Sequence, residues 1–531
     1  MGSQTLPDST ATRQRTDARV VLIEAGSPGL NIYSHVAMGR GVPLLATVVR
    51  DAGYDVRGFV EDVSGMDSID WDLVATADVI GFSAITCTIP RTAELAERAR
   101  ALNPGAVIVF GGPEPTCAPE RSLDAGADYV LRGEAEHTFI DFLGSLHAGN
   151  EELAKIPGLT WREGGETMSG PSPRQLTREE LDALPLVDRS LVFHANETSV
   201  TTVWRSRGCG QGCDFCEVRE IWPKHVVRSE QRTVEELMRA QADGFPASFL
   251  IDDNAAVDKR TFKSFLREVA SHGYIGTLVT QIRADSVLRS DGRLDRELLR
   301  LLKDAATVTT VCIGVESADD EDLEQIHKRI DSSRMAKALR AMRRSGLLVH
   351  GMFIAFAGDT LDVVRRNGAY ARKYVTSLQY LAETPLPGTD ATRRHTRNGA
   401  VMFASLKELK WFDGMHVVLR PAKMTPSQMQ EAIAREYRRF YSLRRIIAAA
   451  LAGVFVRNRF MTSAQRAYLR GLDGWRRVRE WAWFQAQYRF APAAFIAVGR
   501  RRIREFMHDP DYAGYLERLG TMGSEDGLDV S

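Results

Sequence analysis

The 531-residue chain is 44% hydrophobic and 26% charged, proportions that are typical of a globular protein with several packed domains. Lysine and arginine together number 69, as do aspartate and glutamate, so the formal net charge is zero. A neutral chain has no general attraction to nucleic acid, and we expect none as a partner. The sequence contains no uninterrupted apolar run of the roughly 18 residues that a transmembrane helix requires.

The two ends of the chain are polar. Residues 1–17 lack the apolar stretch of a secretory signal peptide and predict a disordered leader. Residues 518–531 are acidic and rich in glycine, which predicts a disordered tail. The missing signal peptide indicates a cytoplasmic protein, in a compartment where thiols stay reduced.

Strand and helix signals alternate along most of the chain, in two series. Apolar runs predict strands at 20–25, 56–60, 77–85, 107–110 and 129–131, and then at 200–205, 248–252, 277–282, 308–315, 349–356 and 376–382. Strands that alternate with helices form parallel sheets. The predicted α/β organisation comprises a leader (1–17), a doubly wound Rossmann-like domain (18–150), a linker with a small hairpin (151–195), a partial (β/α)6 barrel (196–395), a helical C-terminal domain (396–517) and a tail (518–531).

The cysteines divide into two groups. Three are scattered, at Cys87, Cys117 and Cys312. The other three, Cys209, Cys213 and Cys216, are clustered after the first predicted barrel strand. Three thiolates can hold three irons of a cubane cluster and leave the fourth iron open to a small molecule. The alternatives are a zinc site or inert thiols, but zinc usually has a fourth cysteine or histidine at short spacing.

This cysteine spacing, with Phe215 before the last cysteine, resembles the radical S-adenosylmethionine (SAM) superfamily. The resemblance covers about residues 196–395 and implies that SAM binds the open iron of a [4Fe–4S] cluster. Reductive cleavage of SAM then yields a 5′-deoxyadenosyl radical, and the reduction requires an external electron donor such as a flavodoxin or ferredoxin.

The same resemblance assigns SAM contacts at the ends of successive barrel strands. These residues are Phe215, Asp252 in FLIDDN, Gln281 and Arg283 in QIRAD, Glu316 in CIGVES, and Gly351 in GMFIAFAGDT. Physically, a carboxylate suits an ammonium group or ribose hydroxyls, and an arginine suits the carboxylate of SAM. The alternative for each charged residue is a salt bridge in the barrel core.

The first domain resembles the cobalamin-binding domain of one large radical SAM subfamily, on the motifs GFSAITCTIPRTAELA, VIVFGGPEPT and YVLRGEAEHTF. The residues implied to contact cobalamin are Ser83, Thr86, Gly111, Gly112, Pro113, Glu114, Thr116, Gly133 and Glu134. No D-x-H-x-x-G motif occurs, so no histidine is assigned below the cobalt. The alternative is a degenerate domain that only supports the barrel or helps to hold the substrate.

The region after the barrel resembles members of this subfamily that act on lipids and large secondary metabolites, on the segments LAETPLPGTDATRRH and KWFDGMHVVLRPAKM. Trp411, Phe412 and His416 either line a substrate pocket or pack in a core. The later segment WRRVREWAWFQAQYRF is rich in arginine and aromatic residues. It either lies on an anionic membrane surface, as a peripheral contact, or caps the barrel.

The resemblance implies a cobalamin-dependent radical SAM C-methyltransferase that acts on an unactivated carbon of a lipid or secondary-metabolite substrate. A radical SAM cyclase or carbon–carbon bond-forming enzyme without methyl transfer is the alternative, because the two share their motifs. A sensor is disfavoured, since no output domain follows the barrel.

Overall fold

The computed structural model describes residues 18–27, 38–66, 68–148, 153–455 and 461–525. The predicted leader (1–17) lies outside these ranges. Across the described ranges, every helix is too short or too polar to cross a lipid bilayer.

Seven strands form the first sheet, in the spatial order β2-β1-β3-β4-β5-β6-β7. They are β1 (Arg19–Glu24), β2 (Asp55–Val60), β3 (Val79–Ser83), β4 (Val107–Gly111), β5 (Tyr129–Leu131), β6 (Leu159–Glu163) and β7 (Glu166–Ser169). The first five are parallel and doubly wound, an order that opens a ligand crevice at the carboxyl ends of β1 and β3. The hairpin of β6 and β7 extends this sheet, so it incorporates part of the predicted linker.

Helices cover both faces of this sheet. They are α1 (Gly41–Asp51), α2 (Glu61–Ser64), α3 (Trp71–Val74), α4 (Ile89–Leu102), α5 (Pro113–Cys117), α6 (Pro119–Asp124), α7 (Ala135–His147) and α8 (Arg178–Ala183). Val20 and Leu22 pack with α1 and α7, whereas the alternate residues Val21 and Ile23 pack on the opposite face. A strand that is apolar on both sides is the pattern expected for a parallel sheet between two helical layers.

Six parallel strands form the second sheet, in the order β8-β11-β12-β13-β14-β15, and a separate antiparallel pair joins β9 to β10. They are β8 (Val200–Val203), β9 (Ser206–Arg207), β10 (Val226–Val227), β11 (Ala247–Leu250), β12 (Thr277–Gln281), β13 (Val308–Glu316), β14 (Leu348–Ala355) and β15 (Ser377–Ala382). The sheet is open between β8 and β15, so it is a partial barrel. The predicted fold class is confirmed.

The barrel helices alternate with these strands. They are α9 (Val218–Ile221), α10 (Glu230–Ala242), α11 (Lys259–Ser271), α12 (Arg296–Asp304), α13 (Asp320–Gln325), α14 (Ser332–Arg344), α15 (Leu361–Tyr374) and α16 (Asp390–Arg397). Several begin at a side-chain cap: Asp258, Asp295 and Asp331 each accept hydrogen bonds from backbone N–H groups of the first turn. Such caps satisfy donors that the helix leaves free and so fix where each helix begins.

In the described part of the chain, a short 3-10 helix (Leu406–Trp411) and then five α-helices follow the barrel. The α-helices are α17 (Pro426–Phe440), α18 (Leu443–Phe455), α19 (Ser463–Arg470), α20 (Gly474–Met507) and α21 (Pro510–Glu525). Trp411 packs between Phe403 and Tyr515, with ring centroids 4.7 and 5.4 Å away. His416 packs 4.5 Å from the same Tyr515 ring and is buried, as is Phe412. These side chains therefore form the core of the C-terminal domain, and the pocket-lining interpretation is wrong.

The predicted disordered tail begins too early. Helix α21 continues to Glu525, and Tyr515 and Leu519 are fully buried in the hydrophobic core. The glycines of this segment concealed its apolar spacing, because Tyr512, Tyr515 and Leu519 fall three and four residues apart on one helical face. Residues 526–531 lie outside the described part of the chain.

Replacing Leu519 by alanine is expected to lower the free energy of unfolding by about 2–4 kcal/mol, since it leaves a cavity in the core. Leu516→Ala on the same helix is the matched control, because Leu516 is exposed, and we expect a change of at most about 0.5 kcal/mol. Chemical denaturation measures both. Equal effects of the two substitutions would show that α21 does not pack as described.

Candidate functional site

The three clustered cysteines lie on the loop between β9 and α9, which follows the carboxyl end of the first barrel strand, β8. All three are half-buried and unpaired by disulfides. Gly208 precedes the loop with a positive φ of 81°, and a Cβ at this position would collide with the carbonyl oxygen of Lys224. Only glycine tolerates both constraints, so it sets the sharp turn that carries the chain into the cysteine loop.

The thiols are close enough to affect one another. Burial raises the pKa of Cys216 to about 12, and the neighbouring Cys213 and Cys209 contribute in the same direction. Among the described residues, no three His, Cys, Asp or Glu side chains converge as the ligands of a single metal ion. Three thiolates on one loop can each bind a different iron of a cubane cluster, which is the site that their spacing predicts.

Two consecutive carboxylates follow β11, and they have different surroundings. Asp252 is completely buried, and its oxygens accept hydrogen bonds from the backbone N–H groups of Arg205 (2.8 Å) and Ser206 (3.0 Å) and from the Ser206 hydroxyl (2.7 Å). The prediction that Asp252 contacts SAM is therefore wrong, because this carboxylate binds the chain at Arg205 and Ser206. Asp253 instead accepts a bond from the Gly208 N–H (3.1 Å), and burial raises its pKa to about 6.

The predicted rim residues Gln281, Arg283 and Glu316 lie at the ends of neighbouring strands β12 and β13. The Gln281 amide donates to the carbonyl of Asp253 (3.3 Å), and Arg283 donates to the carbonyl of Lys328 (2.7 Å). Burial raises the pKa of Cys213, while the positive charges of Lys328 and Arg283 lower it and the Glu316 carboxylate raises it. The structure thus brings these residues to the same rim as the cysteine loop.

Glu316 has an unusual backbone. Its φ is +61°, and the β13–β14 register shifts between Gly314 and Glu316. Lys328 donates to Glu316 over 2.8 Å, and both side chains are largely buried. A non-glycine residue in the left-handed region costs about 1–3 kcal/mol, and such strain is concentrated at functional sites. The bulge directs this carboxylate toward the rim.

Gly351 is not at the rim. It lies in the middle of β14, and a Cβ there would be 2.6 Å from Val375 Cγ1 and 3.2 Å from the Phe353 ring. Phe353 packs against Tyr370 of α15, so this side of the strand faces the helical layer. The predicted SAM contact of Gly351 is wrong, because the glycine is required by packing outside the barrel. Phe215 lies on the cysteine loop, and its ring packs edge-to-face on that of Phe356, just after β14, with 6.2 Å between the ring centroids.

A cavity of about 360 Å³ lies at the carboxyl ends of β1, β3, β4 and β5, between the first sheet and the cysteine loop. Seven of the nine residues predicted to bind cobalamin line it: Ser83, Gly111, Gly112, Pro113, Thr116, Gly133 and Glu134. Gly112 has a φ of +106°, and a Cβ on it would lie 2.7 Å from the carbonyl oxygen of Ala84. The backbone therefore approaches the cavity wall at a distance that only glycine permits.

The other two predicted residues lie behind this wall. Thr86 donates to the fully buried carboxylate of Glu114 (2.5 Å), which also accepts from Arg121 (2.6 Å). This network stabilises α5 from below, and neither Thr86 nor Glu114 lines the cavity. The predicted cobalamin contacts of Thr86 and Glu114 are wrong, because the two side chains form a hydrogen bond with each other.

Arg207, two residues before the first cysteine of the loop, joins the two domains. Its guanidinium donates to Glu134 (2.6 Å) and to Glu136, and all three side chains are almost completely buried. The same guanidinium lies 4.2 Å from the ring of Trp204, which meets Trp222 edge-to-face at 6.2 Å. These two tryptophans and Arg207 line the cavity, so the cysteine-loop segment forms one of its walls.

A second buried network supports this wall. The Arg40 guanidinium lies 5.3 Å from the Trp204 ring and pairs with Glu236 (3.0 Å), which also binds Arg228 (2.7 Å). Arg40 precedes α1 in the first domain, whereas Glu236 belongs to α10 of the barrel. The interface between the domains is thus both ionic and buried.

Sequence reasoning missed this shared wall. Trp204, Arg207 and Trp222 flank the cysteine loop, and Glu136 is two residues from the predicted Glu134. A pair of acids at the start of a helix, with an arginine just before the cysteines, was the available signal. Glu24 at the end of β1 was also missed: it lines the cavity, and burial, with the nearby Asp62, raises its pKa to about 7.

Two protein-family models match the chain in the regions that carry these sites. The B12 binding domain matches residues 34–143, and the Radical SAM superfamily matches residues 205–366. The first match contains the cavity loops, and the second begins just before the cysteine loop.

Curated relatives match most of the chain at low sequence identity. An uncharacterized methyltransferase of Pyrococcus horikoshii is 26% identical over 417 residues, which cover 76% of this chain and 87% of the relative. The cytidylyl-2-hydroxyethylphosphonate methyltransferase of Streptomyces wedmorensis is 25% identical over 427 residues, or 68% of this chain and 78% of that one. The anaerobic magnesium-protoporphyrin IX monomethyl ester cyclase of Cereibacter sphaeroides is 22% identical over 452 residues, 81% of this chain and 71% of the relative.

Solved structures share the fold. The cobalamin-dependent radical enzyme OxsB, with aqua-cobalamin bound, has a TM-score of 0.65 at 14% identity and covers 96% of this chain and 81% of its own. The methyltransferase TsrM of Kitasatospora setae, with cobalamin and a [4Fe–4S] cluster bound, has a TM-score of 0.63 at 15% identity and covers 90% and 100%.

The fold and the two sites define a radical SAM enzyme. Residues 34–143 match a B12-binding domain and residues 205–366 a radical SAM domain, and the cofactors that go with these domains are a [4Fe–4S] cluster, SAM and cobalamin. The cysteine loop and the glycine-walled cavity fit these groups, as their burial and geometry show.

Replacing Gly112 by alanine is expected to weaken cobalamin binding about tenfold, because the new Cβ would meet the Ala84 carbonyl oxygen and because alanine, unlike glycine, is strained at a φ of +106°. Gly105→Ala is the matched control, since this exposed glycine has open space around its Cβ. Corrin absorbance of the protein after gel filtration from excess cobalamin measures the bound fraction. Equal retention by both variants would place the corrin elsewhere.

Proposed function

We propose that this protein transfers a methyl group to an unactivated carbon of its substrate, with cobalamin as the methyl carrier. The observation that supports this most is the shared cavity wall. Trp204, Arg207 and Trp222 flank the cysteine loop and also line the predicted cobalamin cavity. A cluster on that loop and a corrin in that cavity would face one another across one water-poor space.

The residues have separate roles in this proposal. Cys209, Cys213 and Cys216 would hold the cluster, and the Gly112 loop and Gly133 would hold cobalamin. When bound, the cluster and SAM would supply the radical that removes a hydrogen atom from the substrate, and methylcobalamin, remethylated by a second SAM molecule, would supply the methyl group. The electron that initiates the reaction comes from an external donor of the flavodoxin or ferredoxin type.

Around SAM, the chain orients charged groups. We assign the SAM ammonium group to Asp253 rather than Asp252, because Asp253 contacts the cysteine loop at Gly208, whereas the oxygens of Asp252 are bound by Arg205 and Ser206 at the start of β9. In this proposal Glu316, held by Lys328, would contact the ribose hydroxyls. Arg283 already pairs with Asp285 through Nε and Nη2, so it would offer its remaining Nη1 group to the carboxylate of SAM. Gln281 fixes the strand end that carries Asp253.

The inner face of the barrel favours an apolar substrate. His350 donates to or accepts from Ser377 (2.8 Å) and Gln379 (3.4 Å), which identifies the inward side of β14 and β15. Met352 and Ile354 share that side, closer to the rim, and are only partly buried. These side chains support a lipid or large secondary metabolite as substrate, and with it a peripheral contact with membranes.

A cyclase is the second candidate. The cyclase of Cereibacter sphaeroides matches the chain over a longer segment than either methyltransferase relative does. A cyclase would use the same cluster and SAM contacts but would leave the product without an added methyl group.

Isotopic labelling separates the two reactions. Reconstituted enzyme given SAM labelled in its methyl group, a reductant and lipid extracts is expected to form a labelled product together with 5′-deoxyadenosine. Cys213→Ala should form neither, while the control Cys87→Ala, outside the loop, should retain both iron and activity. Mass spectrometry detects the label. Formation of 5′-deoxyadenosine with unlabelled product would reject the methylase in favour of the cyclase.

Replacing Glu316 by glutamine is expected to raise the dissociation constant for SAM about tenfold, because a charge-assisted hydrogen bond is lost. The iron content should not change. Glu321→Gln is the control, since Glu321 is exposed on α13. Equilibrium dialysis with reconstituted protein gives both constants. If Glu316→Gln binds SAM as well as the control does, then Glu316 serves only to hold Lys328.

A further inference from the structure

Helix α18 exposes a continuous apolar stripe. Leu443, Ile447, Leu451, Val454 and Phe455 each have more than half of their surface exposed, and Phe455 is 84% exposed. They are spaced four, four, three and one residues apart, so they fall on one face of the helix. Five large apolar side chains in one exposed row form a patch of the kind that marks an interaction surface.

The opposite face fixes the orientation of α18. A Cβ on Gly453 would lie 2.6 Å from the carbonyl oxygen of Arg489 and 3.0 Å from the Phe490 ring, so α18 packs closely on α20 at this point. Tyr441, just before α18, packs in the same way on Gly499. The two helices are therefore antiparallel, and the apolar stripe points away from the fold.

Basic side chains flank the start of α18. Arg445 donates to the carbonyl of Arg372 (2.8 Å), which anchors α18 beside the end of α15. The exposed cations at this corner are Arg343, Arg344, Lys373, Arg438, Arg439 and Arg444. Glu436 is buried in ion pairs with Arg372 and Arg439, and the exposed Glu431 pairs with Arg438, so the cations still outnumber the acids here. The corner is thus a positively charged edge beside an apolar face.

The first turns of α20 extend beyond the end of α18 and repeat this composition. Trp475 is 84% exposed, and Trp481 and Trp483 are also exposed, whereas Phe484 is buried against Tyr468. Arg476, Arg477 and Arg479 are exposed among the tryptophans. The expectation that these aromatic residues pack on the barrel is therefore wrong for the tryptophans, and Phe484 packs on Tyr468 of α19.

We propose that the outer face of α18, continued by the first turns of α20, docks on an anionic lipid bilayer. An apolar row inserts among the acyl chains, and the flanking arginines and lysine contact the acidic headgroups. A second copy of the chain fits this face less well, because two copies would bring the same positive edge together. The proposal deepens the lipid class proposed as substrate, but it does not depend on methyl transfer.

The geometry also fixes the mode of attachment. Helix α18 has 13 residues and no helix of the described chain is long and apolar enough to span a bilayer, so the contact is interfacial. Interfacial binding that combines apolar insertion with headgroup attraction is reversible and weakens as salt rises.

Sedimentation with vesicles tests this surface on the full-length holoenzyme. We expect the protein to sediment with vesicles of equal parts phosphatidylglycerol and phosphatidylcholine, and less with phosphatidylcholine alone. Binding should weaken on raising the salt from about 0.05 to about 0.5 M. The double variant Leu451→Glu/Phe455→Glu should bind about tenfold more weakly. Leu102→Glu, on an exposed apolar residue of α4, is the matched control and should bind normally.

Three outcomes overturn the proposal: no binding to acidic vesicles, equal binding by the double variant and the control, or a wild-type dimer that the double variant converts to a monomer. The last result would assign the face to a second copy of the chain. Methyl transfer to a detergent-dispersed substrate is measured in parallel. A variant that keeps this activity and loses vesicle binding separates docking from the proposed chemistry, and the reverse result overturns only the chemistry.

Discussion

The buried pairing of Arg207 with Glu134 and Glu136 holds the two halves of the site against each other. Arg207 immediately precedes the cysteine loop, whereas the two glutamates lie at the start of α7 in the first domain. Removing one partner from a buried ion pair costs about 3–5 kcal/mol, because the charge that remains is buried without a partner, so each of these three residues depends on the others. Arg40 and Glu236 repeat the arrangement on the other side of Trp204. The cavity and the cysteine loop consequently keep one relative position, which a reaction between two cofactors requires.

Backbone strain is placed where the cofactors are expected. Gly112 and Gly208 have positive φ angles at the cavity and at the cysteine loop, and Glu316 has one without being glycine. The parallel sheets explain this distribution, because their carboxyl ends meet at the same edge and the chain must turn there within a few residues. The unfavourable backbone conformation of Glu316 persists because the packed strands of the barrel on either side of it hold it in place.

The C-terminal region packs on both the first domain and the barrel, and its helix α18 presents an apolar surface to the outside. The segment around Trp411 packs against the first domain at α4, while α17 and α20 pack on the barrel. Residues that resembled a substrate wall, such as His416, are instead buried among Phe506, Tyr512 and Tyr515. The apolar side chains of α18 remain outside this core. Substrate selection would then depend on the barrel interior and on where the enzyme docks.

The sequence by itself determined the elements that local patterns control: the two βα series, the cysteine loop and the glycine-rich turns, because alternation, spacing and φ requirements act over a few residues. Residues that are adjacent in the sequence can nevertheless make different contacts. Asp252 binds Arg205 and Ser206 at the start of β9 while Asp253 binds Gly208 of the cysteine loop, and Gly351 faces α15 although its motif indicated SAM. Only the tertiary structure decided these cases, together with the shared wall of Trp204 and Arg207. The orientation of a side chain on a strand, and its partner from a distant segment, depend on packing that no local pattern encodes.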